Sequence, residues 1–275
     1  MEIEKRLGEI IAEAEGTWGV VVEELGQASG QRLHFSHMDD ERFIAESVIK
    51  VPIMAAVYEA ADNGQFTVSD QLTLRKEDLV GGSGFLYTLS PGLKLTIRDL
   101  ITMMIIQSDN TATNMLIDLV GKEQIEQTMR NLGMNQSRYS RKLMIYPVDV
   151  TENNMITAGD VASMLGKIAS GAFLSQRACE EMIAIMNKQQ VVNGLPSLLP
   201  APAEAGAYSE WKLPCKSGWD TGRQHDVGVL IAAGRKITIT ALSKDVQASA
   251  ALRTLGLLGK AVYDYATANE SCSVS

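Results

Sequence analysis

Apolar residues follow a helical period near both ends of the chain. They recur every three or four positions over residues 3–15 and again over residues 249–267, which predicts an amphipathic helix at each end. Residues 43–61 are almost uniformly apolar, a pattern typical of a buried central helix. Pro52 fits this helix only if the helix begins shortly before it or bends there.

Runs of β-branched and apolar residues predict strands in two separate parts of the chain. Residues 17–25 and 31–36 flank a turn that contains Gly and Ser, and they predict a hairpin. Residues 210–217, 226–233 and 236–243 predict three more strands. Strands and helices do not alternate, so a parallel sheet is not expected.

The region between the two strand groups is mostly helical in pattern. Thr96, with Asp99 three residues later, is expected to cap a helix, and Thr157 to cap another. Residues 134–155 have no sustained period and predict a long irregular loop, a kind of segment that is usually functional in a compact domain. The predicted helices cover residues 95–106, 111–120, 123–132, 161–170 and 175–187.

Together these elements predict an α+β fold. We expect a five-stranded antiparallel sheet flanked by the terminal helices, with an all-helical second lobe. Residues 1–60 and 205–275 would form the α/β lobe, and residues 61–204 the helical lobe with the irregular loop 134–155. A groove between the lobes is the expected binding site.

Composition removes several functional classes. The net charge of −8 argues against a nucleic-acid partner, and three scattered cysteines with three histidines argue against a zinc site or a disulfide framework. No metal or other cofactor is expected. No apolar stretch approaches the roughly 20 residues that span a bilayer. The first residues are charged, so the chain as written is expected in the cytoplasm, or outside it if a leader has been removed.

The first candidate motif is a serine and a lysine three residues apart at the start of the apolar segment. Ser47 and Lys50 would share one face of a helix, near the positive field of its N-terminus. A buried amine has a lowered pKa, so a neutral Lys50 could take the proton of the hydroxyl. The spacing alone is weak evidence, because Ser209 and Lys212 repeat it.

Two further clusters could serve the same chemistry. Ser108, Asp109 and Asn110 lie between two predicted helices, where such residues are also ordinary caps. Lys216-Ser217-Gly218 ends a predicted strand, where a lysine and a hydroxyl could hold an anionic group and glycine allows close approach to a ligand.

The three clusters occur in the order of the S-x-x-K, S-D-N and K-T-G elements. Through these motifs the chain resembles class A β-lactamases and penicillin-binding serine hydrolases. Residues 80–86, 95–116 and 216–226 are also similar to that family. The resemblance covers most of the chain. It implies a serine hydrolase that acts on β-lactams or related amides through an acyl-enzyme, with a small-molecule substrate (a β-lactam, a peptide amide or an ester) as its partner.

The resemblance assigns catalytic roles to four side chains. Ser47 would be the acylated nucleophile and Lys50 its activating base. Ser108 would relay protons, and Asn110 would contact both the substrate amide and Lys50.

The third motif would bind the substrate. Lys216 and Ser217 would hold its carboxylate, and Gly218 would let the backbone approach closely. The backbone N–H groups of Ser47 and Trp219 would form the oxyanion hole.

One departure concerns the second half of the reaction. A class A β-lactamase uses a loop glutamate to activate water for deacylation. Here Leu143 stands near that position, and the acids of the loop are Asp149 and Glu152, of which Glu152 is a weak candidate base. We therefore expect acylation followed by slow turnover. A true β-lactamase, a D-Ala-D-Ala peptidase, an esterase and a non-turning-over penicillin sensor stay open. His225 lies near the site in sequence and is expected on a surface turn.

Overall fold

A computed structural model describes residues 2–26, 32–145, 152–201 and 209–268. Its helices are α1 Glu2–Ala12, α2 Lys50–Asp62, α3 Ile97–Ile106, α4 Asn110–Asn131, α5 Ala158–Ser170, α6 Gln176–Met186 and α7 Ala248–Thr267. Its strands are β1 Thr17–Leu25, β2 His34–His37, β3 Arg42–Ile44, β4 Gln71–Thr73, β5 Lys94–Thr96, β6 Met155–Thr157, β7 Trp211–Lys212, β8 Cys215–Asp220, β9 Arg223–Ala232 and β10 Arg235–Lys244. Short 3₁₀ turns occupy Glu46–Ile49, Lys76–Asp78, Leu86–Thr88 and Leu195–Leu198.

The main sheet is antiparallel in the order β2-β1-β10-β9, and its last edge is shared by β7 and β8. Both short strands pair with β9, at different points along it. Pro214 lies between them and lacks an N–H to donate, which interrupts the edge strand. Its carbonyl still accepts a 3.0 Å hydrogen bond from the N–H of Val229. The sheet therefore has five strand positions, and the predicted α+β fold is confirmed.

Each face of this sheet covers a separate hydrophobic core. Along β1 the side chains alternate in direction: Val20 and Val22 join the core beneath α1 and α7, whereas Val21 joins the core on the helical side. Helix α5 packs on β1 and β10 there, and α2, α3, α4 and α6 complete that layer. The division into lobes at residues 60 and 205 stays a prediction.

The helix ends follow the expected local chemistry. Thr96 accepts a hydrogen bond from the N–H of Asp99 and forms a capping box with it. Thr157 caps α5, which ends at Gly171 in the left-handed region. Gly121 has φ of 80° and divides α4 into two helical runs, where two helices were predicted.

The predicted helix over residues 43–61 is wrong at its start. Phe43 lies in β3, opposite Ile156 of β6, because an apolar run without helical spacing serves a buried strand equally well. Glu46 then has φ of 44°, which an α-helix cannot contain. The α-helix begins at Lys50 and places Pro52 in its first turn, where proline is tolerated.

Some sequence expectations fall outside the described residues. These include the Gly/Ser turn near residues 28–30, Asp149 in the irregular loop, and Cys272. Among the described helices, none combines the length and apolarity needed to cross a membrane. The described ranges also contain no group of His, Cys, Asp or Glu side chains able to hold a metal ion.

Candidate active site

Ser47 lies at the edge of a cleft of about 300 Å³ between the sheet and the helical layer. It belongs to the 3₁₀ turn that leads into the buried helix α2, so its position is fixed by the core beneath it. The left-handed conformation of Glu46 turns the chain immediately before it. The cleft is lined by Ile44, Glu46, Ser47, Gly82, Ser83, Asn110, Arg141, Leu143, Met144, Asn154, Trp219 and Asp220.

Lys50 is fully buried beside Ser47, and its amine is the meeting point of two motifs. Nζ lies 3.0 Å from Ser47 Oγ and 3.0 Å from Ser108 Oγ. It also lies 2.7 Å from the carbonyl oxygen of Ser108 and 2.8 Å from Asn110 Oδ1. The one-turn spacing of Ser47 and Lys50 therefore brings the hydroxyl and the amine into contact.

These contacts suit an uncharged amine. Burial, reinforced by the positive charge of Lys216, lowers the pKa of Lys50 well below its usual value. The carbonyl of Ser108 and the Asn110 amide oxygen can only accept, so they take the two N–H bonds of a neutral amine. Its lone pair is then left for a hydroxyl proton, from Ser47 or from Ser108.

The second motif is held in place by Asp109, whose importance the sequence did not reveal. Its buried carboxylate accepts hydrogen bonds from the N–H groups of Phe85 and Leu86, at 2.7 and 2.8 Å, and from Ala112 at the start of α4. Only the bond from Ala112 could be expected from the sequence, because aspartate is a common N-cap residue of helices. Asp109 thereby ties the loop before the site to the helix that carries Asn110.

Lys216 brings the third motif to the same centre. Its amine is fully buried, lies 3.2 Å from Ser108 Oγ and donates to the carbonyl of Ser217 at 2.6 Å. Ser108 Oγ therefore lies between two amines, those of Lys50 and Lys216. Burial lowers the pKa of Lys216 to about 8.

Gly218 and Trp219 continue β8 along the nucleophile turn. A Cβ on Gly218 would lie 2.8 Å from the backbone nitrogen of Ser47, so only glycine allows this approach. Trp219 follows it and lines the cleft with an exposed side chain. The Ser217 hydroxyl is instead buried, and no hydrogen bond from it is found in the described part of the chain.

Leu143 occupies the part of the irregular loop that faces the cleft. The Asn114 side chain makes two hydrogen bonds to the backbone of Leu143. It accepts from the Leu143 N–H and donates to the Leu143 carbonyl, at 2.9 Å each. Asn154 holds the preceding turn by accepting from the N–H groups of Ser140 and Arg141. The loop therefore presents the apolar side chain of Leu143 to the cleft.

Glu152 does not line this cleft, and its weak candidacy as a base stays a prediction. Its exposed carboxylate pairs with the Arg138 guanidinium, which lowers the pKa of the glutamate. Both residues line a separate hollow together with Arg42 and Tyr139.

His225 is also placed differently from the expectation of a surface turn. It is buried within β9, where Nε2 donates to the carbonyl of Ile44 at 2.8 Å and Nδ1 accepts from the N–H of Ser243 at 3.1 Å. These bonds assign the proton to Nε2. Burial lowers the pKa of His225 to about 4, so the ring is neutral and joins β3 to the main sheet.

Comparisons with known proteins agree with this geometry. Residues 2–266 match the model of the Beta-lactamase2 family, described as the beta-lactamase enzyme family. A beta-lactamase of Rhodobacter capsulatus is 30% identical over 263 residues, covering 93% of this chain and 87% of the relative. The crystal structure of a beta-lactamase from Sphaerobacter thermophilus is 32% identical with a TM-score of 0.86, covering 96% of this chain and 97% of that one.

A third similar structure is PBP-A, in a leucine-to-glutamate variant that forms an acyl-enzyme complex with penicillin G. It is 24% identical with a TM-score of 0.80, and the match covers 98% of this chain and 97% of that one. At this identity the likeness shows the fold alone.

Proposed function

The chain belongs to the beta-lactamase enzyme family as a serine hydrolase of the class A type, and from that premise we propose that β-lactams acylate Ser47 and are released slowly. The observation that carries this proposal is the position of the Lys50 amine, in contact with both Ser47 Oγ and Ser108 Oγ. The apolar Leu143 at the cleft supports the slow second step.

Acylation can be written with the groups of this site. Neutral Lys50 takes the Ser47 proton while Oγ attacks the lactam carbonyl, and the backbone N–H groups of Ser47 and Trp219 would hold the resulting oxyanion. When the lactam C–N bond breaks, the proton on Lys50 passes through the Ser108 hydroxyl to the leaving nitrogen. Lys216, charged below its pKa of about 8, would hold the substrate carboxylate. Asn110 would hold the substrate amide.

Deacylation needs a base that can activate water. None of the loop residues that line the cleft in the described structure is such a base. Leucine has no acid–base chemistry, and Glu46, the nearest carboxylate to Ser47 in sequence, is paired with Arg223 at 2.6 Å. The acyl-enzyme is therefore expected to persist.

Intact-mass measurement during incubation with benzylpenicillin tests both steps. We expect an adduct of one penicillin per chain that maps to Ser47 and decays over many minutes, and Ser47→Ala should remain unlabelled. Labelling of Ser47→Ala would overturn the acylation mechanism. Rapid disappearance of the wild-type adduct with penicillin consumed in excess would overturn the slow deacylation.

A paired substitution tests why release is slow. Leu143→Glu should accelerate loss of the adduct, by roughly the 10²–10⁴-fold that a positioned general base contributes. Leu143→Gln has nearly the same size without the carboxylate and is the matched control. Equal release rates in the two variants would show that a carboxylate at this position is not what the site lacks.

The apolar loop also favours a second candidate, a D-Ala-D-Ala peptidase, in which the same acylating groups attack a peptide. Release of D-alanine from an acyl-D-Ala-D-Ala peptide, absent in Ser47→Ala, would support this reading. Turnover of penicillin without any release of D-alanine would favour the β-lactamase. A single adduct with no turnover of penicillin, peptide or ester would indicate a sensor.

A further inference from the structure

A buried carboxylate lies behind the third motif, and the mechanism above gives it no role. Asp226 is fully buried in β9, directly opposite Ser217 of β8. Its Oδ2 accepts a 2.8 Å hydrogen bond from the N–H of Leu195. Its Oδ1 is buried and finds no hydrogen-bond donor among the described residues. An unsatisfied carboxylate oxygen in such a place is costly unless a neighbouring charge compensates it.

A second unsatisfied atom lies on the opposite strand. The Ser217 hydroxyl is also buried without a partner in the described structure. Residues directly opposite each other on antiparallel strands have Cβ atoms about 4.5–5.5 Å apart. Rotation of the Ser217 side chain can therefore direct its O–H towards Asp226. The hydroxyl would then donate a hydrogen bond to Asp226 Oδ1, and neither atom would lack a partner.

A charge that acts on this carboxylate is that of Lys216, which precedes Ser217 on β8 and attracts Asp226 without an ion-pair contact. The titratable groups that act on this amine are Asp226 on β9, Cys215 on its own strand and Lys50 on α2. Burial lowers the pKa of Lys216, and the attraction of Asp226 works against that change. Burial likewise raises the pKa of Asp226 to about 7, against the attraction of Lys216. Each group therefore helps to keep the other charged.

The chain is shaped around this carboxylate. A Cβ on Gly194 would collide with Asp226 Oδ2, so glycine is required for the turn to deliver the Leu195 N–H. A Cβ on Gly259 of α7 would collide with the carbonyl of Leu195, so the helix packs tightly on the same turn. Two glycines thus hold in place the Leu195 N–H group that donates to Asp226.

We propose that Asp226 is a positioning residue for recognition of the substrate carboxylate, acting as the buried counter-ion of Lys216 and the internal acceptor of the Ser217 hydroxyl. Without substrate, the carboxylate keeps Lys216 as an ammonium group and orders Ser217. When a substrate carboxylate arrives, the ammonium and the hydroxyl turn to it. This inference rests on the proposed function, since it concerns acyl donors that carry a carboxylate.

The first test measures Lys216 directly, in the full chain with ¹³C-labelled lysine. The NMR titration of its side chain should give a pKa about one unit or more lower in Asp226→Asn than in the wild type. Asp40→Asn, which removes an exposed carboxylate with the same change of charge, should leave the Lys216 titration in place. An unchanged pKa in Asp226→Asn overturns the proposal.

The second test compares two acyl donors, benzylpenicillin and an uncharged phenylacetyl thioester without a carboxylate. In Asp226→Asn the acylation rate with penicillin at pH 8 should fall about fivefold, because a drop of one unit from a pKa of about 8 takes the charged fraction of Lys216 from about a half to about a tenth. The rate with the thioester should stay within about twofold. Equal losses with both donors would indicate a merely structural role and overturn the proposal. If Asp226→Asn does not fold, Asp226→Ser removes the same charge with a smaller side chain and is judged by the same two measurements.

The two proposals fail in different ways. Absence of any wild-type adduct with penicillin would overturn the proposed function, whereas the Lys216 titration needs no substrate and decides the role of Asp226 by itself.

Discussion

Within the described residues, Lys50 has no carboxylate hydrogen-bonded to its amine, and it lies close to a second amine, that of Lys216. Both amines approach the same Ser108 hydroxyl, so a proton on one disfavours a proton on the other. The site therefore favours a state in which Lys50 is neutral and Lys216 charged, because burial and the charge of Lys216 both lower the pKa of Lys50, whereas the attraction of Asp226 opposes the lowering at Lys216.

This state predicts a bell-shaped dependence of acylation on pH. The rate with benzylpenicillin should rise as Lys50 loses its proton and fall as Lys216 loses its own near pH 8. Stopped-flow measurement from pH 5 to 10 checks both limbs. A rate that climbs steadily to pH 10 would mean that Lys50 keeps its ordinary pKa. Lys50→Met should lose about 10²–10⁴-fold at every pH.

The sequence was informative about these residues because the motifs carry their chemistry in the residue types themselves. The side chains picked out by the motifs form one hydrogen-bonded cluster, made of Ser47, Lys50, Ser108, Asn110 and Lys216. Neighbours that act through burial were not recognisable. An aspartate inside a predicted strand, such as Asp226, has no pattern that distinguishes a buried counter-ion from a solvated side chain.

At the scale of elements, an ion-pair cluster joins the nucleophile turn to the hairpin of β8 and β9. Glu46 lies in the turn, and its carboxylate accepts from Arg223 Nε at 2.6 Å. Arg223 also donates to Asp220 at 3.1 Å. The cluster spans the gap between Ser47 and Trp219, whose N–H groups would form the oxyanion hole. It also holds Glu46 in its left-handed conformation.

Breaking this cluster should therefore impair acylation as well as stability. Arg223→Gln leaves the Glu46 carboxylate half-buried without its partner, and we expect a loss of about 1–3 kcal/mol in the free energy of unfolding with a several-fold slower acylation. Adding Glu46→Gln should recover part of both losses. Denaturant unfolding and stopped-flow acylation of the two single variants and the double variant measure the coupling.

A second ion pair supplies the control for this experiment. Arg235 makes a two-pronged pair with Glu24, at 2.7 and 2.9 Å, and neither residue lines the cleft. Arg235→Gln should lower stability without slowing acylation. If both arginine variants slow acylation equally, the cluster at Glu46 has no special connection to the nucleophile.

Elements were predictable where local signals mark their ends, as at Thr96, Thr157 and Gly171. The turn at Glu46–Ile49 was not, because its shape depends on contacts far away in the chain. Phe43 pairs with Ile156 of β6, and Gly218 of β8 fits against the turn. Neither contact leaves a period within residues 43–49, so the apolar run alone favoured a helix.

For the molecule as a whole, His225 and Asp226 couple stability to pH in opposite directions. The pKa of His225 falls from its usual 6.5 to about 4 on folding, so the unfolded chain binds its proton first and stability decreases as pH falls from 6.5 towards 4. The pKa of Asp226 rises from 3.8 to about 7, so the folded protein binds its proton first and stability increases over the same interval. The combined contribution of these two residues to the pH dependence of stability should therefore be shallow over this interval.

Replacing the histidine separates the two effects. His225→Gln should destabilise the protein at pH 7.5, where both histidine hydrogen bonds are intact in the wild type. At pH 5 the gap to the wild type should shrink by about 2 kcal/mol, because the wild type then carries the cost of a neutral buried histidine. Urea unfolding of both proteins at both pH values measures the gap. A gap that is constant with pH would show that His225 titrates normally, and His37→Gln controls for loss of an exposed histidine.

The pairing of β1 with β10 has a consequence for how the protein is made. Thr238 donates to the carbonyl of Glu23 across this pair, 215 positions away in sequence. Once β8 has been translated, every residue of the proposed acylating centre has been synthesised. Yet β8 has no neighbour until β9 emerges, and the group of β7, β8 and β9 has no connection to β1 within the sheet until β10 emerges. Penicillin should therefore label nascent chains only after β10 has left the exit tunnel, as an abrupt late event in translation.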